Sequence, residues 1–123
     1  RNINRVLIAY SGSMESAKAM KRFVQLQLWP EITVRIVTFE HLPEKAHELL
    51  TAAEGYCRAQ GYDVDSEYVG KSSKHKLLPY ARDWDADLIV MGNSHRNLLL
   101  RRIFGETMLH TMQNTDRPLF LAQ

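Results

Sequence analysis

The chain has 123 residues, with Lys+Arg 16 against Asp+Glu 14 and a formal net charge of +2, which is room for one ordinary domain with a real core and too little for two. At 45% hydrophobic and 24% charged the composition is globular, so it excludes a disordered chain and gives no sign of bulk nucleic-acid binding. A single cysteine, Cys57, excludes an internal disulfide framework. It fits a reducing compartment, so a cytoplasmic location is expected.

Val6 to Tyr10 ("VLIAY") is a continuous apolar run of the kind buried on both faces of a parallel sheet. Ser13 can cap the segment that follows, where Ala17, Met20, Val24 and Leu28 recur at helical spacing until Pro30 ends the pattern. Ile32 to Phe39 is rich in β-branched residues and reads as a second strand, and Pro43 suits the first position of a second helix. In that helix Ala46, Leu49, Leu50, Ala53 and Cys57 form one apolar stripe, and Gly61 suits the left-handed position after its end. On that stripe Cys57 reads as core rather than as a nucleophile.

Asp63 to Tyr68 alternates polar and apolar and reads as a third strand near a sheet edge, closed by Gly70. Leu77, Leu78, Ala81 and Trp84 mark a helix over 76–84, in which Pro79 removes one hydrogen bond. Asp83, Asp85 and Asp87 then read as helix termination in solvent. Leu88 to Met91 is another doubly buried strand, Met108, Leu109 and Met112 mark a helix over 105–114, and Pro118 to Ala122 is a final strand. The order βαβαβαβαβ predicts an α/β fold: an open five-stranded parallel sheet with helices on both faces, Rossmann-like, in one domain over 1–123. Ligands of such sheets bind beyond the carboxyl ends of the strands where the strand order reverses, which directs attention to the loops after Tyr10 and Met91.

The second of these, "GNSHRNLLLRRIFGET" over 92–107, is long for a strand-to-helix connection and has glycine near both ends. Gly92 allows a sharp turn off the strand, and Gly105 allows close approach at a helix start, where free amides attract anions. Arg96, Arg101 and Arg102 can add charge-assisted contacts to phosphate. The same residues equally fit an exposed turn with a solvated basic face. The histidines His41, His47, His75, His95 and His110 include no His-Glu-x-x-His pair, and no cysteine cluster accompanies them, so no metal site is expected. Ser11 and Ser13 lie in no Gly-x-Ser-x-Gly elbow, so no hydrolase triad and no catalytic residue is assigned. No run of about 18 apolar residues and no charged-then-apolar leader is present, so no membrane partner is expected. The opening residue is Arg1, as in a piece cut from a longer protein.

"ADLIVMGNSH", followed by "RRIFGETMLHTM" and "RPLFLA", resembles the carboxyl-terminal half of a universal stress protein. Members of that family commonly begin with a strand, an aspartate and Gly-Ser-x-x-Ser, and "YSGSMES" keeps Gly12, Ser13 and Ser16; "LLPYARDWDADLIVMG" resembles the family's helix into its fourth strand. The resemblance covers nearly the whole chain. It implies the adenine nucleotide alpha-hydrolase-like fold, a role in the stress response and dimerisation through the last strand, with an identical chain or with a second such domain.

It also implies where an adenine nucleotide, ATP, ADP or AMP with magnesium, would lie: Ser11, Gly12, Gly92, Ser94, His95, Arg96, Gly105, Glu106 and Thr107. ATP-binding members carry Gly-x-x-Gly, nine residues, then Gly followed by Ser or Thr. Here the frame is kept, with Gly92, position 95, nine intervening residues and Gly105, but its contents differ. His95 puts a β-carbon and an imidazole where glycine would admit phosphate. Glu106 puts an anion where a hydroxyl would donate, and Ser11 replaces the early aspartate. Thr107 offers a hydroxyl one position on. Two readings follow: a non-catalytic domain that acts by association with weak or lost nucleotide binding, and an adenine-nucleotide binder using the loop after the fourth strand. "SGSMES" also resembles the pyrophosphate loop of ATP pyrophosphatases, with Ser13 and Glu15 in place of its second glycine and its aspartate. Capping by Ser13 and a turn at Ser11 and Gly12 is the favoured account of that stretch.

Overall fold

The computed structural model describes residues 3–29, 31–39, 42–70 and 77–91, and the strand pairing of 119–122. The expected helix over 105–114, the loop over 92–107 and the start of the last strand at Pro118 lie outside the described residues.

Strand β1 (Arg5–Ala9) leads into α1 (Met14–Leu26), β2 (Thr33–Thr38), α2 (Pro43–Ala59), β3 (Asp63–Tyr68), α3 (Leu77–Asp83), β4 (Leu88–Met91) and β5 (Leu119–Ala122). All five strands are parallel in the order β3-β2-β1-β4-β5. The chain winds outward from β1 to β3, then returns to the other side of β1 for β4 and β5, so the order reverses between β1 and β4. Alternation within the strands builds two cores. Val6, Ile8, Val34, Ile36, Leu88 and Val90 pack beneath α1 and α2, while Leu7, Val37, Ile89 and Met91 pack beneath α3. The helices therefore cover both faces, as the apolar runs of β1 and β4 require. None of the described helices is long and apolar enough to cross a membrane.

Helix α1 ends earlier than its apolar pattern. Gln27 turns left-handed at φ 50 and donates from Nε2 to the Val24 carbonyl, so the helix stops at Leu26 and leaves Leu28 54% exposed rather than on the buried stripe. Gly61 takes φ +95 after α2, and its N–H donates to Arg58 O; the neighbouring Tyr62 N–H donates to Cys57 O. Cys57 is fully buried, and burial pushes its thiol up to about 11, which is the inert state expected of a core cysteine.

One acid contradicts the expectation of helix termination in solvent. Asp87 is buried, and its Oδ2 accepts from the backbone N–H groups of Asn4 at 2.8 Å and Arg5 at 3.0 Å, while its own N–H donates to Arg5 O at 2.8 Å. This carboxylate fastens the entrance of β1 to the entrance of β4.

A second polar assembly lies on the α3 face. Arg35, in the middle of β2, forks onto Asp65 of β3 with both N···O distances 2.9 Å, and Tyr80 of α3 bonds both Arg35 and Glu67. The Arg35 guanidinium lies 4.9 Å from the centroid of the Trp84 ring and that of Arg5 lies 5.7 Å from it, with Arg5 also bonded to the Trp84 carbonyl at 2.6 Å. Burial, then the bond to Glu67, pushes the Tyr80 hydroxyl up to about 12.

Candidate functional site

The site follows from the topology. At the carboxyl end of the sheet the strand order reverses between β1 and β4, the place where sheets of this kind open a ligand-binding crevice. On the α3 face this end carries Ala9, Phe39 and Val69, each half-buried against the α3-face core, so the described surface there is apolar.

The β1–α1 turn over 10–13 leaves the same end of the sheet and forms its lip there. Tyr10 N–H still bonds Val37 O at 2.9 Å, after which Gly12 turns the chain at φ +82 and Ser13 caps α1 from an extended conformation. The three serines close on one another. Ser11 Oγ accepts the Ser13 N–H at 3.2 Å and donates to Ser13 Oγ at 3.0 Å, and Ser13 Oγ accepts the Ser16 N–H at 3.1 Å. Buried Ser16 accepts the Ser11 N–H at 3.2 Å and donates to the Ser13 carbonyl at 3.2 Å. The hydroxyls and amides of this turn are thus spent largely on holding its own shape.

Gly12 is required here for two reasons. Its φ is left-handed, and a β-carbon would stand 2.4 Å from Leu49 Cδ2 of α2. Leu49 can swing aside, but the backbone cannot relax so easily. Gly12→Ala is expected to cost about 1–2 kcal/mol, read as a lowered midpoint in urea with an unchanged slope.

Of the residues singled out in the sequence, Ser11 and Gly12 stand together on this lip, and β4 ends beside β1 at Met91, immediately before Gly92. Gly92, Ser94, His95, Arg96, Gly105, Glu106 and Thr107 lie outside the described residues. Among the described residues no group of histidine, cysteine and carboxylate side chains is arranged to hold a metal ion. Ser16, Leu49 and Phe39 were not among the candidates. The repeated serine in "SGSMES" is the signal for the first; the other two are brought to the site only by the packing of α2 and the pairing of β2.

An open parallel sheet of order 3-2-1-4-5, wound on both faces and with its reversal between β1 and β4, defines a doubly wound α/β domain. The model of the universal stress protein family matches residues 38–122, more than half of the chain, and the chain belongs to that family. It is 22% identical over 121 residues to the universal stress protein Slr1230 of Synechocystis sp. (strain ATCC 27184 / PCC 6803 / Kazusa), covering 97% of this chain and 42% of that protein. The chain therefore spans less than half the length of that relative. Among solved structures, a universal stress protein in complex with cAMP superposes with a TM-score of 0.69 at 19% identity over 98% of this chain and 96% of the other. The universal stress protein of Archaeoglobus fulgidus in complex with dAMP superposes with a TM-score of 0.66 at 14% identity, covering 98% and 97%. These likenesses establish the fold.

Proposed function

We propose that this chain is a non-catalytic, cytoplasmic stress-response domain that acts by association and whose adenine-nucleotide site is attenuated. The observation that carries the attenuation is the use of Ser11. Where family members that bind ATP commonly have an aspartate, this residue is a neutral hydroxyl turned onto Ser13 and accepting its N–H. It offers a ligand neither a carboxylate nor an uncommitted lip. His95 and Glu106 act in the same direction, one by bulk and one by charge.

The association half of the reading is supported by the two edges of the sheet. At one edge β3 carries Asp63, Asp65 and Glu67, all exposed, and such charges discourage strand addition. At the other edge β5 is the uninterrupted apolar segment Leu119–Ala122, paired with β4 on one side. An apolar edge strand of that kind suits a partner of like architecture, either an identical chain or a second universal stress protein domain.

A second reading, an adenine-nucleotide binder with Gly92, Ser94, Arg96, Gly105 and Thr107 around the phosphates, is favoured by the apolar wall of Ala9, Phe39 and Val69, which suits a base. The cAMP and dAMP complexes of relatives point to the same ligand class. Calorimetric titration with ATP in magnesium separates the two. The double substitution His95→Gly and Glu106→Ser is expected to tighten binding by about tenfold or more, a gain of at least roughly 1.4 kcal/mol. Equal affinity in the parent and the variant favours the second reading.

A further inference from the structure

We propose that Met14 is a reversible oxidation site on the lip of the crevice. Among the described methionines it stands apart: Met14 is 68% exposed, whereas Met20 is 2% and Met91 3% exposed, each within one of the two cores. Met14 is also the first residue of α1, directly after the capping Ser13, and belongs to neither core. Hydrogen peroxide is the class of oxidant required. The sulfur attacks one peroxide oxygen, the O–O bond breaks, an S–O bond forms and the second oxygen leaves as water, two electrons having passed from sulfur to peroxide. A dithiol reductase reverses the step, becoming a disulfide and releasing the sulfoxide oxygen as water.

Position decides the consequence. Oxidising a buried methionine places a polar S=O group in a core and destabilises the fold; oxidising Met14 adds a polar group to an exposed side chain and leaves the packing of both cores untouched. The site thus changes the surface beside Ser13 without unfolding the domain.

The test is graded exposure of the intact native protein to hydrogen peroxide, with peptide mass spectrometry for position, thermal unfolding for stability and then treatment with a mixture of methionine sulfoxide reductases for both epimers. Met14 sulfoxide is expected at about the rate of an unstructured methionine peptide and about tenfold or more ahead of Met20 and Met91, with an unchanged unfolding midpoint and full reversal. Oxidation of Met14 no faster than of Met20 or Met91, a fall in the midpoint in step with Met14 oxidation, or a sulfoxide that the reductases leave in place would each overturn the proposal. These readouts are independent of whether the crevice holds a nucleotide.

Discussion

Replacing Asp87 by alanine is expected to destabilise the domain by about 3 kcal/mol, because hydrogen bonds to a charged acceptor contribute roughly 1.5–3 kcal/mol each and their loss strands part-buried amides. The carboxylate accepts two backbone N–H groups, of Asn4 and Arg5, from a buried position. For a domain of this size such a loss corresponds to a fall of roughly 10 °C in the thermal midpoint. Asp87→Asn keeps a carbonyl acceptor of the same shape, so an intermediate loss is expected. The two variants measured by thermal unfolding give the order wild type, asparagine, alanine; equal midpoints for wild type and alanine would mean that the β1–β4 entrance is held by packing alone.

The second large effect falls on Trp84. Its ring supports two guanidiniums, those of Arg35 and Arg5, and packs against the α3 core. A half-buried tryptophan that loses both its packing area and two cation contacts is expected to cost about 2–3 kcal/mol on truncation to alanine. Trp84→Phe, which retains an aromatic face, should lose less than half of that. The Arg35–Asp65 pair beside it is a weaker element despite its bidentate geometry, since its side chains are 27% and 55% exposed and ion pairs of that exposure contribute at most about 1 kcal/mol. Asp65→Asn is therefore expected to cost less than Trp84→Ala in urea unfolding. The opposite order would make the ion pair, rather than the indole, the fastening of α3 to the sheet.

Much of the scaffold was legible because its signals are local. The alternation of Asp63–Tyr68 and the apolar run Leu88–Met91 mark strands with the observed bounds, Pro43 opens α2, and Ser13 caps α1. The adjacency of β1 and β4 agrees with the sequence as well, since the alternation of strands and helices directs attention to the loops after those two strands and the sheet order places them side by side. What escaped depends on contacts between distant segments. Asp87 looks like one more acid in "DWDAD", and only the pairing of β1 with β4 brings it to amides more than eighty residues away in the chain. Trp84 reads as an apolar helix position until β2 delivers Arg35 beneath it. An arginine inside the otherwise apolar "ITVRIVTF" was the available sign, because a charge in the middle of a strand covered on both faces demands partners. Leu28 misled in the other direction: its spacing is helical, but a left-handed Gln27 interposes.

The proposed attenuation is tested most directly on the unaltered protein, purified without added nucleotide: denaturation, mass spectrometry of whatever is released, and calorimetric titration with ATP, ADP and AMP in magnesium. The account predicts no stoichiometric nucleotide in the released fraction and dissociation constants weaker than about 100 µM, or about 5.5 kcal/mol of binding free energy. A stoichiometric co-purified adenine nucleotide, or micromolar binding of any of the three, would contradict it and would show that the chain still holds the ligand despite Ser11, His95 and Glu106.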